Sequence, residues 1–242
     1  MLRALAGYNG KSPSSLSGIV IYDDTSLHRS NSKRILEMGA YITISGADGS
    51  GKTTQVRLLR AYLSSRNTVC IHWFRGSHML ASLLARLLSH FRFFKGYCNP
   101  YYRVCIPRSL RGLWIHVEFW SLIPHVLTRF LLRLFCDILV CDRGLMDFIV
   151  WIVVTLDYPS FLSSIYGRFL LRLATLEDPI YLYSDIDTLA LRADVPREFI
   201  VRELAVYSVL ARYVAKCSID TGRSRPVRVV AEVIRCLEKR TR

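Results

Sequence analysis

The chain has 242 residues and is 51% apolar, enough material for a buried core, which excludes a mainly disordered protein. Its length suits one domain with an extension better than two full domains. A net charge of +14, from 33 basic and 19 acidic residues, points to an anionic partner (nucleotide, nucleic acid or lipid headgroup) without choosing among them.

Residues 1–39 differ from the rest. Met1–Ser17 is small and polar, with Gly7, Gly10, Pro13 and several serines, as a loop or frayed end would be, and Gly18–Tyr22 has the character of a short strand. An extension over 1–39 and a single domain over 40–242 are therefore expected. From Tyr41 onward, short β-rich runs recur at Tyr41–Ser45, Val69–Trp73, Ile138–Cys141, Ile180–Tyr183 and Cys217–Ile219, with helix-length segments between them. That alternation predicts an α/β fold: βαβ units forming a parallel sheet covered on both faces. Leu80, Leu83, Leu84, Leu87, Leu88 and Phe91 follow the spacing of an amphipathic helix, as do Val227, Val230, Val233, Ile234 and Leu237 near the end.

Mean hydropathy is positive, at +0.24, yet the longest uncharged apolar run, Phe148–Leu156, falls far short of the roughly 20 residues that cross a bilayer. Leu113–Phe135 is interrupted by His116, Glu118, Pro124, His125, Arg129 and Arg133. No membrane span is expected. The seven cysteines include no CxxC pair, and an odd, scattered set reads as reduced core thiols in a cytoplasmic protein.

The strongest signal is Gly46-Ala47-Asp48-Gly49-Ser50-Gly51-Lys52-Thr53, a full GxxxxGK[ST] match with the apolar Tyr41–Ile44 before it and a helical pattern from Thr54 after it. Glycines let backbone N–H groups converge on phosphate oxygens at a helix N-terminus whose partial positive charge favours anions. Gly46 through Thr54 thus form an ATP site, in which Lys52 reaches the β- and γ-phosphates and the Thr53 hydroxyl binds Mg²⁺. Asp48 is unusual there, since a carboxylate is repelled by triphosphate. It reads either as a turn former or as a group aimed at hydroxyls on another molecule. Asp142-Arg143 follows the strand Ile138–Cys141; the carboxylate suits the water shell of Mg²⁺, and the guanidinium can bridge two phosphates.

Ser45-Gly46-Ala47-Asp48-Gly49-Ser50-Gly51-Lys52-Thr53-Thr54-Gln55, with the later Asp142-Arg143, resembles the thymidylate kinase family of P-loop nucleoside monophosphate kinases over about residues 40–240. The segment Asp187-Thr188-Leu189-Ala190-Leu191-Arg192, followed by Arg197, Glu203, Tyr207 and Tyr213 on a helical stretch, is similar to the family's lid, here about 187–200. The resemblance implies a three-layer fold on a five-stranded parallel sheet, transfer of the γ-phosphoryl of ATP to dTMP in nucleotide biosynthesis, Mg²⁺ as cofactor, and a homodimer. Asp48 would contact the acceptor sugar hydroxyl, Arg75 the acceptor phosphate, and Asp142 and Arg143 the metal and the two phosphate groups. Arg192 or Arg197 would close over the donor. Lys52, Asp142 and Arg143 would be catalytic.

The chain departs from the family at three places: only Arg75-Gly76 follows the second strand, Gly144-Leu145-Met146-Asp147 follows the Asp-Arg pair, and Val117-Glu118-Phe119-Trp120-Ser121 offers no arginine beside the base. Phe119 or Trp120 is the candidate stacking face. Three further readings stay open. Gly49–Val117 holds no acid but eleven basic residues, interleaved with Trp73, Phe74, Phe91, Phe93, Phe94 and Tyr101, as in a P-loop ATPase that binds nucleic acid. A deoxynucleoside kinase would take thymidine in place of dTMP. A peripheral membrane protein would use the basic helix around Leu80–Phe94.

Overall fold

The computed structural model describes residues 40–74, 76–77 and 79–238. The extension over 1–39, with the strand expected at Gly18–Tyr22, lies outside them. In chain order the described elements are β1 (Ala40–Ser45), α1 (Lys52–Leu63), β2 (Val69–Trp73), α2 (Met79–Leu88), β3 (Lys95–Asn99), α3 (Arg111–Phe135), β4 (Ile138–Asp142), α4 (Leu145–Leu156), α5 (Ile165–Glu177), β5 (Ile180–Tyr183), α6 (Ile186–Arg192), α7 (Arg197–Val214), β6 (Cys217–Asp220) and α8 (Pro226–Glu238). All five expected strands form, and they make one parallel sheet in the order β2-β4-β1-β5-β6.

The three layers follow from the side chains. Ile42, Ile44, Ile138, Val140, Ile180 and Leu182 pack on one face against Val56, Leu59 and Leu63 of α1 and Val229, Val230 and Val233 of α8. Tyr181 joins the opposite face with α3, α4, α5 and α7. Every residue of α4 is buried, which accounts for its apolar run on all sides: a helix enclosed all round needs no polar face. Among the described residues no helix is long and apolar enough to cross a membrane.

Two expectations are corrected. The helix expected from Leu80 exists, but its leucine stripe is split: Leu84 and Leu88 pack against the core beside buried Ala81 and Ala85, while Leu80, Leu83, Leu87 and the later Phe91 are exposed. Small side chains let α2 close on α3, and the Ala81 amide donates to Ser121 Oγ at 3.0 Å. The cysteines also depart from reduced thiols. Cys70–Cys136, Cys98–Cys105 and Cys217–Cys236 are disulfides, and Cys141 alone is free. Spacing did not reveal Cys70–Cys136 and Cys217–Cys236, which the βα packing brings together, or Cys98–Cys105, which closes a single turn.

Candidate phosphoryl-transfer site

The loop after β1 turns through three positive-φ glycines, of which Gly51 (φ +82°) caps α1 without any side-chain hydrogen bond. The first amides of α1 therefore have no intrahelical partner and face the loop. A side chain at Gly46 would strike the Leu182 carbonyl, so glycine there lets the loop lie flat on β5. Lys52 is 5% exposed and donates from Nζ to the Ala47 carbonyl at 2.6 Å. Burial, with the Arg143 cation nearby, pulls its pKa down to about 8.

Thr53 Oγ1 donates to Asp142 Oδ2 at 2.6 Å, joining α1 to the end of β4. The other carboxylate oxygen, Asp142 Oδ1, is buried without a hydrogen-bond partner. An orphaned carboxylate oxygen beside a threonine hydroxyl is an all-oxygen donor set, which fits Mg²⁺.

Arg143 sits at φ +79°, a left-handed backbone that a non-glycine residue adopts only when its surroundings enforce it. They do. Its amide donates to Ile44 O at 2.9 Å, and its carbonyl accepts from Arg129 Nη2 at 2.8 Å. The next two amides go to carboxylates: Gly144 N to Asp147 Oδ2 at 2.8 Å and Leu145 N to Glu177 Oε2 at 2.6 Å. Glu177 is in turn paired with Arg129 at 2.7 Å, and Tyr41 bonds both partners.

This backbone aims the Arg143 guanidinium at the loop, where Nη2 pairs with Asp48 Oδ1 and Nη1 lies 3.7 Å from Asp147 Oδ1. Burial opposes the charge on Arg143, but Asp48 and Asp147 hold its pKa above the ordinary range. The Asp48 amide donates to Glu203 Oε2 at 3.2 Å, and the Gly46 amide to Asp147 Oδ1 at 3.1 Å; the latter also accepts from Tyr207 Oη at 2.7 Å. Burial, then the Asp48 carboxylate, pushes Glu203 up to about 7. A small cleft of about 260 Å³, including its open mouth, lies between Asp48, Arg143, Asp147 and Glu203 on one side and Gly76, Tyr101 and Trp151 on the other.

The structure thus brings Asp48, Lys52, Thr53, Asp142 and Arg143 together. Arg192 lies against the loop, with Nη1 3.4 Å from the Thr221 carbonyl, whereas Arg197 is turned to the surface on Asp187 at 2.6 Å. Phe119 packs on Tyr166, with ring centroids 5.1 Å apart, and does not line the cleft; Trp120 is exposed. Arg75 lies outside the described residues. Asp147, Glu203, Tyr101 and Trp151 were not singled out from sequence as cleft residues. The available signal was an acid inside an apolar run, as at Asp147 and also at Glu118, which is buried under Ser77, Trp114 and Trp151.

No family model matches the sequence, and neither does any curated protein. Among solved structures, thymidylate kinase from Ehrlichia chaffeensis aligns at 21% identity and TM-score 0.48, over 82% of this chain and 98% of that one. Thymidylate kinase from Candida albicans aligns at 15% identity and TM-score 0.53, over 84% of this chain and 92% of that one. The chain has the α/β P-loop fold seen in thymidylate kinases.

Proposed function

We propose that the chain transfers the γ-phosphoryl group of ATP to a nucleoside monophosphate, with dTMP as acceptor and dTDP as product. The observation that carries this reading is the convergence of Lys52, Thr53–Asp142 and the Arg143–Asp48 pair at the adjoining ends of β1 and β4.

In this reading the loop amides and Lys52 hold the ATP phosphates, and Lys52 exchanges its bond to Ala47 O for phosphate oxygens. Thr53 and Asp142 would hold Mg²⁺, which when bound neutralises charge on the β- and γ-phosphates. Arg143 lies between donor and acceptor and offsets charge on the migrating group, while Asp48 receives the acceptor's sugar hydroxyl. Arg192, on the helix that abuts the loop, closes over the donor and helps exclude water. Arg75 is assigned the acceptor phosphate on sequence alone, and Phe119 is not needed. Positioning and charge do the catalytic work.

ADP release with ATP·Mg²⁺, measured against dTMP, dUMP, dCMP, AMP and thymidine, tests the reading. Turnover with dTMP is expected. A response to thymidine alone would make it a nucleoside kinase, and no response to any acceptor would refute it.

The exposed apolar stripe of α3 (Leu113, Trp120, Leu127, Leu131 and Leu134) suits a homodimer, which the molar mass from light scattering checks. Nucleic acid is the alternative partner and is not favoured over nucleotides; exposed Phe91, Phe93 and Tyr97 beside Arg92 and Lys95 are where it would bind, and salt-dependent retention on single-stranded DNA tests it. A role in nucleotide biosynthesis goes with these substrates; the cytoplasmic location expected from reduced cysteines loses that ground with the three disulfides.

A further inference from the structure

Tyr101 reaches the cleft from a turn that is not part of the five-stranded sheet. It lies on the turn after β3, a strand that bridges only Val104 of the same turn. The turn is tightly built. Asn99 Oδ1 accepts from the Tyr101 and Tyr102 amides at 3.2 and 3.3 Å, Gly96 N donates to Arg103 O at 3.0 Å, and Cys98–Cys105 ties the two arms together. Tyr102 anchors it to α2 through Ser82 Oγ at 3.0 Å. The result is that Tyr101 extends into the cleft beside Trp151, with ring centroids 5.8 Å apart, and its hydroxyl donates to Asp48 Oδ2.

Asp48 Oδ1 already belongs to Arg143. Tyr101 holds the other oxygen, Oδ2, on the cleft side where an acceptor's hydroxyl would approach. A phenol O–H and a sugar O–H are equivalent donors to a carboxylate, so an acceptor hydroxyl that approaches Oδ2 through the cleft meets the Tyr101 hydroxyl there. We infer that Tyr101 is a specificity-determining residue of the acceptor subsite: its hydroxyl stands on Asp48 in place of the acceptor's sugar hydroxyl, and an acceptor binds by displacing it. This rests on the proposed kinase reading and adds to it the residue that sets how readily the subsite opens and the chemistry, a hydroxyl donor, that must replace it.

The consequence is quantitative. If the subsite is open only a fraction of the time, acceptor affinity is reduced by that fraction. Removing the phenol hydroxyl while keeping the ring should raise the open fraction, and so should untying the turn. Calorimetric titration of dTMP into the full chain, wild type against Tyr101→Phe, should give a Kd roughly tenfold lower in the variant, in line with loss of a hydrogen bond to a charged group. The Cys98→Ser/Cys105→Ser double variant should shift Kd in the same direction. In turnover assays the fall should appear in the KM for dTMP and exceed any change in kcat or in the KM for ATP.

Equal or weaker dTMP binding by Tyr101→Phe, in an enzyme whose wild type makes dTDP, would overturn the inference and leave the kinase reading standing. Absence of dTDP formation by the wild type would remove the kinase reading and the inference with it.

Discussion

Arg129, on α3, donates to the main-chain carbonyl of Arg143 at 2.8 Å, so one arginine fixes the backbone of another. The first is 8% exposed and paired with Glu177 at 2.7 Å, and its Nε donates to His72 Nδ1 at 3.2 Å. Burial and the Arg129 charge pull His72 down to about 4, which keeps it a neutral acceptor at ordinary pH. Arg129→Met would leave the Glu177 carboxylate buried without its partner, at a cost of about 3–5 kcal/mol. Adding Glu177→Gln should restore a large part of that loss. Urea unfolding of the single and double variants measures it; equal stability of the two would contradict the pairing.

Lys52→Ala should lower kcat by about 100-fold or more, because the variant loses the cation that meets the transferring phosphates. Its melting temperature should stay the same or rise, since burial disfavours the charge in the folded state. Full activity would refute the site.

Glu203 makes stability depend on pH. Its folded pKa of about 7 lies above the unfolded value near 4.5, so the folded state binds the proton more tightly. The associated stabilisation is complete below about pH 4.5, declines from there to about 7, and is gone above it. Glu203→Gln should therefore flatten the stability profile over that window and stabilise the protein at pH 8, by on the order of 2 kcal/mol. Melting curves at pH 5, 6.5 and 8 check the sign: a variant that loses stability at pH 8 would show the carboxylate to be favourably charged.

Reduction should weaken the fold. Cys70–Cys136 and Cys217–Cys236 span 66 and 19 residues, and loops of that size correspond to about 3–4 kcal/mol each in chain-entropy terms. A drop in melting temperature of about 15–30 °C with reductant is expected. Alkylation of unfolded, unreduced protein followed by mass measurement should label Cys141 alone; seven labelled thiols would restore the expectation of reduced cysteines.

What the sequence disclosed was local. The Gly46–Thr53 loop and the five strands were legible because each is written in neighbouring residues, a glycine spacing or a β-rich run. Asp142 was legible too, since it ends such a run. The supports of the site were hidden because they join distant positions: Gly46 to Asp147, Asp48 to Glu203 and Tyr101, Arg129 to Arg143. Periodicity located α2 but not the centre of its buried face, which runs through Ala81 and Ala85 with Leu84 and Leu88 beside them and leaves Leu80, Leu83 and Leu87 outside.

The left-handed turn at Arg143 has an evolutionary corollary. Glycine would relieve the torsional strain at this position, and with it about 1–3 kcal/mol. The same change would leave the Asp48 and Asp147 carboxylates without their buried cation, at about 3–5 kcal/mol, so selection for heat tolerance and selection for turnover should both keep arginine in this strained backbone.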